Sequence, residues 1–283
     1  MLLSELTRSI DYCSPLAVAL RLMADEDGAE LVIEPEYGCL DDRGQCIDRG
    51  AIMVLADHAC GLLLRRRFDP SPMATLNLRV DWISAPEPGK TVLAHSRMIA
   101  HNGMTALVAV DIGHPGSKIL IAKAISQVIL GVAPGGTSTP FGPMAVPAIR
   151  RDTTHTRFAN FTELLDIQRT EDGFRLPLAP HLVGNATVSA LHGGLIGAAL
   201  YRATAMALQE FDGTGSWCPL GVWIEYLRPV TLGGQDLGLK PSIRRLGRTV
   251  VSVECTAHGG PGVQLVARAG VKFVVPDAGG TGS

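Results

Sequence analysis

The sequence is written twice, and no other feature limits its folding as strongly. Asp27-Gly28 recurs as Asp172-Gly173 and Pro35 as Pro180, each 145 positions later, while Gly103-Met104-Thr105 recurs as Gly247-Arg248-Thr249 at 144. The end of each copy repeats as well: Leu120-Ile121-Ala122-Lys123-Ala124 returns as Leu265-Val266-Ala267-Arg268-Ala269. This period is far longer than that of any solenoid repeat, so the repeating unit is a whole domain. At about 150 residues per domain, the 283 residues predict two. Between the copies, 132–147 is rich in Pro, Gly, Ser and Thr, the composition of a linker. The expected organisation is one domain over 1–131, a linker over 132–150 and a second domain over 151–283.

Composition narrows the partner. Lys plus Arg number 25 against 27 Asp plus Glu, and a net charge of -2 gives no general electrostatic reason to bind nucleic acid or an anionic membrane. The most apolar stretches are cut by Asp57 and Arg202 before the ~18 residues a spanning helix needs. Met1 to Tyr12 carries Glu5, Arg8 and Asp11 where an export signal holds an apolar run. The six cysteines include no pair two residues apart, and the eight histidines show no ligand spacing. These features predict a cytoplasmic protein with free thiols, no metal, and a small molecule or protein as partner.

Each copy reads as a short N-terminal helix, a strand and turn, one apolar helix and then several strands. The apolar helices are expected over about 50–64 and 194–208; the first is apolar on all sides and should be buried. The Val-, Ile- and Leu-rich runs that follow are separated by turns such as Pro86-Glu87-Pro88-Gly89 and His101-Asn102-Gly103, a spacing that suits antiparallel hairpins. One long helix per sheet points to an α+β fold, with an antiparallel sheet curled around the helix.

The strongest chemical signal is the run from Gly184-Asn185 to His192-Gly193-Gly194, which leads into the second helix. The first turn of a helix has N–H groups without intrahelical partners and the positive end of the macrodipole. Two glycines there let a thioester carbonyl approach and become an oxyanion. A plain tight turn capped by His192 accounts for the same residues. In the first copy, Asp57 lies in the middle of an otherwise uncharged helix, where an unpaired carboxylate would cost several kcal/mol. It is either a general base or nucleophile, or a carboxylate bonded to backbone or neutralised by Arg65.

These residues resemble hotdog-fold acyl-CoA thioesterases of the phenylacetate-pathway type, and the resemblance covers most of both copies. It implies a tandem double hotdog paired as a pseudo-dimer. In that family an Asn and a His-Gly-Gly turn from one hotdog meet an Asp on the central helix of its partner, a Ser or Thr on the next strand assists, and no cofactor is needed. Here the pattern is split. Asn185, His192 and Gly193 match in the second copy, but the Asp position there is Tyr201. In the first copy Asp57 matches and Thr75 falls where the assisting hydroxyl is expected, but the turn reads Asp48-Arg49-Gly50, with Asp41 near the Asn position. Nine residues of helix separate His192 from Tyr201 by roughly 13 Å, so one helix cannot hold both ends of a small site. Helices lying side by side would instead bring the turn of one to the middle of the other.

The expected composite site therefore has Asp57 as base or nucleophile and the Gly193 N–H as oxyanion donor. Asn185 and His192 position the thioester or the water, and Thr75 and Gly194 contact substrate. The opposite set, Tyr201 and Cys218 facing Asp41, Asp48 and Arg49, is expected to be structural, because Asp48 suits a helix N-cap and would repel an oxyanion. The implied substrate is an acyl-CoA, and double-hotdog chains could associate further into a homo-oligomer. Two alternatives are a non-catalytic acyl-CoA binder and an enoyl-CoA hydratase; the latter's pattern of Asp, Asn-Pro and a His five positions on is missing, since His58 directly follows Asp57. Ser84 to Thr91 resembles a phosphate-binding loop but has Ser for its first Gly, and is expected to be a hairpin turn. Arg244, Arg245 and Arg248 at a hairpin tip are either CoA-phosphate contacts or a solvated basic turn.

Overall fold

The protein is represented by a computed structural model that describes residues 18–21, 28–35, 38–68, 73–131, 158–185, 189–213, 217–260 and 262–275. The expected linker at 132–150 and the short helix expected near the N-terminus lie outside the described residues.

In chain order the elements are β1 (Val18–Arg21), β2 (Gly28–Ile33), α1 (Arg49–Phe68), β3 (Met73–Trp82), β4 (Val92–His101), β5 (Thr105–Gly113) and β6 (Leu120–Leu130). They continue as α2 (Phe161–Leu165), β7 (Gln168–Thr170), β8 (Gly173–Leu176), β9 (Val183–Asn185), β10 (Ala190–Leu191) and α3 (Gly193–Asp212). The last four are β11 (Cys218–Tyr226), β12 (Leu237–Leu246), β13 (Val250–Gly259) and β14 (Gln264–Val274). Apart from the short β9–β10 pair, the strands form one 12-stranded sheet in the order β1-β2-β4-β5-β6-β3-β11-β14-β13-β12-β8-β7. Both long helices pack on this sheet and on each other, and a large antiparallel sheet wrapped around central helices fits the hotdog fold.

The order is a mirror of itself about the β3–β11 junction. α1 and α3 are both 20 residues long, and each residue of α1 has a counterpart 144 positions later in α3. The junction obeys the same offset: Arg79 pairs with Trp223, 144 positions away, while Leu78 pairs with Ile224 and Val80 with Val222. Each half also carries a bulge at the same place, at Leu76 where β3 meets β6 and at Leu220 where β11 meets β14.

That bulge has a consequence for side-chain direction. Leu78 and Val80 point into the core, so strict alternation would send Leu76 inward and Thr75 to the outer face. One extra residue reverses the alternation beyond it, and Thr75 turns inward.

Both long helices are deeply buried, as their apolar composition requires. Every residue from Ala51 to Cys60 is buried, since α1 is covered by its own sheet on one side and by α3 on the other. Asp48 caps α1 by accepting the Gly50 N–H at 2.7 Å. His192 caps α3, which ends at Gly213 in the left-handed conformation (φ 71). Close approach of the helices depends on Gly194, where a Cβ would lie 2.7 Å from the Val54 Cα.

One turn differs from expectation. Ser84 to Thr91 is not a hairpin, because it carries the chain from β3 past β6 and β5 to β4. Its Pro and Gly mark a change of direction, but not which strand the chain meets next. The turns at His101-Asn102-Gly103 and His258-Gly259-Gly260 do join paired strands.

Candidate active site

Residues 137 apart in the chain meet where α1 passes the start of α3. Asp57, only 4% exposed, accepts a hydrogen bond from the Thr75 hydroxyl on Oδ1 at 2.9 Å and one from the Gly194 N–H on Oδ2 at 2.8 Å. The second donor is a first-turn N–H at the positive end of the α3 dipole, which favours an anion there. A buried carboxylate without such partners would be costly; here each oxygen has a donor. Arg65 lines the same cavity but forms no direct ion pair with Asp57 among the described residues.

His192 lies on the same side. Its Nδ1 accepts the Gly194 N–H at 3.0 Å and stands 3.4 Å from Asp57 Oδ2. Burial lowers the pKa of its imidazole, with nearby Asp57 opposing the shift, so the ring is neutral near pH 7. His58 stacks on it with ring centroids 5.8 Å apart and 4° between planes. Burial, with His192 and Arg65 adding to it, holds the His58 pKa well below the ordinary histidine value. The turn before α3 is anchored to the chain after β11 through Leu191 N–H to Val230 O at 2.8 Å and Leu232 N–H to Ser189 O at 2.8 Å. Asn185 is fixed by the β9–β10 pair, where it faces Ala190.

A cavity of about 340 Å³ opens at this point. Asp57, Thr75, Asn185, His192 and Gly193 all line it, and Met73, Leu76, Val128, Ile129, Ile196 and Val230 give it apolar walls. The Gly193 N–H has no hydrogen-bond partner among the described residues. Gly194 does not line the cavity. Expected to contact substrate, it instead spends its N–H on Asp57 and His192, because the two helices approach too closely for a ligand to reach it.

The sequence pattern missed Tyr226 and Arg228, which also line the cavity, as does Arg65. The Tyr226 hydroxyl donates to the Gly193 carbonyl at 2.9 Å. No motif marks it, because its role follows from where β11 ends. Arg244, Arg245 and Arg248 do not line the cavity, and Arg244 pairs with Glu254 at 2.6 Å.

The opposite set holds no such arrangement. Tyr201 stands where α3 has the counterpart of Asp57, with its ring 6.4 Å from that of Trp82. Burial pushes its hydroxyl pKa up to about 12. Arg202 reaches Asp48 at 3.7 Å and also binds Asp42 and Thr162, while the Arg49 guanidinium lies 5.7 Å from the Trp82 ring centroid. The start of α1 is closed by the buried Phe161 ring, whose edge fills the space a Gly50 Cβ would need. Asp41 accepts the Gln45 and Cys46 N–H groups in its own turn rather than facing Tyr201. Cys218 is exposed.

Against known families, residues 49–118 match the model of the thioesterase superfamily. This segment is similar to that superfamily. The match runs from α1 to just past β5 and leaves the reaction, acyl group and carrier to be argued from the site. No curated protein matches the chain. Among solved structures, a putative thioesterase from Novosphingobium aromaticivorans is similar at 13% identity and a TM-score of 0.61, covering 91% of this chain and 98% of that one. The 12:0-ACP thioesterase from Umbellularia californica has 10% identity and a TM-score of 0.58, covering 87% and 93%. A putative oleoyl thioesterase from Lactobacillus plantarum has 12% identity and a TM-score of 0.56, covering 94% and 100%. At these identities the likeness is one of fold, and it spans both halves of the chain.

Among the described residues no group of three or more His, Cys, Asp or Glu is placed to hold a metal, and no helix is long and apolar enough to cross a membrane.

Proposed function

We propose that the chain is an acyl-CoA thioesterase: a tandem double hotdog whose halves pair as a pseudo-dimer, with the 1–131 and 151–283 division, and with one composite site of the phenylacetate-pathway kind between them. The observation that carries the reading is the 2.8 Å hydrogen bond from the Gly194 N–H of the second half to the Asp57 carboxylate of the first, at the wall of an apolar cavity.

The thioester carbonyl oxygen binds at the Gly193 N–H, where the start of the helix stabilises the developing oxyanion. Asn185 and His192 orient the thioester or the attacking water. Asp57 then removes a proton from that water as hydroxide adds to the carbonyl carbon, or itself adds to the carbonyl to give an anhydride that water opens. In both routes the C–S bond breaks, CoA leaves as its thiol and the acyl group leaves as its acid. Thr75 holds one carboxylate oxygen so that the other faces the reacting carbon.

The test is thiol release by the full chain over a panel of short, long and aromatic acyl-CoAs. Asp57→Asn abolishes turnover, by roughly 100-fold or more for loss of a base, while Tyr201→Phe leaves it nearly unchanged. Equal losses from the two variants overturn the one-site reading. A single turnover in H₂¹⁸O that puts label into the Asp57 carboxylate identifies the anhydride route, with water opening the anhydride at the Asp57 Cγ.

A further inference from the structure

The peptide unit that joins Gly193 to Gly194 is held at both ends. Its N–H donates to Asp57 Oδ2 at 2.8 Å, and its carbonyl accepts from the Tyr226 hydroxyl at 2.9 Å. Tyr226 ends β11 and lines the cavity, so an unbroken path runs from the cavity wall through one amide to the carboxylate. A hydrogen bond to an amide oxygen polarises the amide, and its N–H then donates more strongly.

Gly197 leaves room for this contact. A Cβ there would lie 3.0 Å from the Tyr226 hydroxyl oxygen and 2.6 Å from the Ile224 Cδ1. The counterpart of Tyr226, 144 positions earlier, is Trp82, whose buried indole N–H has no hydrogen-bond partner among the described residues. The clamp thus occurs only at the end of the molecule where a carboxylate receives it.

We propose that Tyr226 is a positioning residue for Asp57: by clamping the Gly193–Gly194 peptide it fixes and strengthens the N–H that holds the carboxylate in place. This rests on the reading of Asp57 as base or nucleophile. The other titratable groups near that carboxylate are His58, Cys60 and Arg65 on α1 and His192 at the start of α3, with the Thr75 hydroxyl on β3. None of them contacts the Gly193 carbonyl among the described residues.

Tyr226→Phe removes the hydroxyl and keeps the ring. With the carboxylate less well placed, kcat falls about 10-fold while KM stays within about twofold, an effect below that of a full ångström of misplacement. In ¹⁵N-glycine-labelled protein the Gly194 amide proton moves upfield. 3-Fluorotyrosine at position 226, a stronger donor, keeps kcat near wild type and moves the Gly194 amide proton downfield. An unchanged Gly194 resonance in Tyr226→Phe overturns the clamp, and so does a rise in KM with kcat intact. If wild-type protein releases no thiol from any acyl-CoA, the functional reading fails, while the Gly194 resonance still tests the clamp by itself.

Discussion

Adding a single methyl group at Gly194 tests the geometry on which the site depends. An alanine Cβ there would lie 2.7 Å from the Val54 Cα, with Asp57 Cβ and His192 Nδ1 each at 3.1 Å. Ordinary contact begins near 3.4 Å, so α1 has to recede by about 0.7 Å. Val54 Cα is backbone, and no side-chain rotation relieves the clash. The 2.8 Å bond from Gly194 to Asp57 would stretch to about 3.5 Å, past the useful range for an N–H donor. A misplacement of about 1 Å costs on the order of 100-fold in rate. Overpacking of a tight contact costs about 1–3 kcal/mol, which lowers Tm by roughly 2 to 10 °C in a chain of this size. The control is Gly50→Ala at the counterpart position, whose Cβ would meet the edge of the Phe161 ring and, at 3.0 Å, the capping Asp48 Oδ1. Thiol release at saturating acyl-CoA and thermal melts should show Gly50→Ala losing stability with turnover within about threefold of wild type, and Gly194→Ala losing both. Gly194→Ala with near wild-type turnover, or Gly50→Ala with an equal kinetic loss, refutes the reasoning.

Two further expectations concern pH. Burial raises the Asp48 carboxyl to about 6 from its ordinary 3.8, against the opposing effects of Arg202 and the Gly50 N–H. Between pH 3.8 and 6 the folded chain therefore holds a proton that the unfolded chain has released, and the penalty for the charged form is fully present above pH 6. Asp48→Asn keeps a capping oxygen, so it should raise Tm at pH 7.5, with the gain shrinking to nothing as pH falls toward 4; a gain of equal size at both ends rules this out. His58 and His192 act in the opposite direction. With folded pKa values below 6.5, the unfolded chain binds their protons first as pH falls, and stability drops below about pH 6.5. Melts of the Asp48→Asn protein, in which Asp48 no longer titrates, should fall steadily between pH 7 and 5, and a flat profile would refute the assignment.

Both long helices were legible from apolar runs and capping residues, and the structure extends each by a few residues at its C-terminal end. Helix ends are poorly marked when the last turns are as apolar or as basic as Leu62 to Arg67. Repetition at 144 to 145 implied two like units but not how they join. The pairing of Arg79 with Trp223 depends on which sheet edges are left open, a property of the folded units and not of any local pattern. Asp57 and the His192-Gly193-Gly194 turn stood out because each breaks a local rule, one a charge in an apolar helix and the other two glycines at a helix start. Tyr226 breaks none, since an aromatic residue at the end of a strand is ordinary. The inward turn of Thr75 depends on a bulge at Leu76, and an extra residue of ordinary type leaves no mark in the pattern.

The Arg79–Trp223 pair bears on why one chain can hold two unlike ends. Where two identical subunits meet on a twofold axis, a residue at the axis always faces itself, so an arginine would face an arginine. On the pseudo-dimer reading proposed above, a covalently joined pair escapes that rule: a guanidinium can sit opposite an indole, Tyr201 can stand where its counterpart is an aspartate, and a ring such as Phe161 can plug one helix start while the other stays open. Each half is free to specialise because its mate is always present, tethered at fixed stoichiometry.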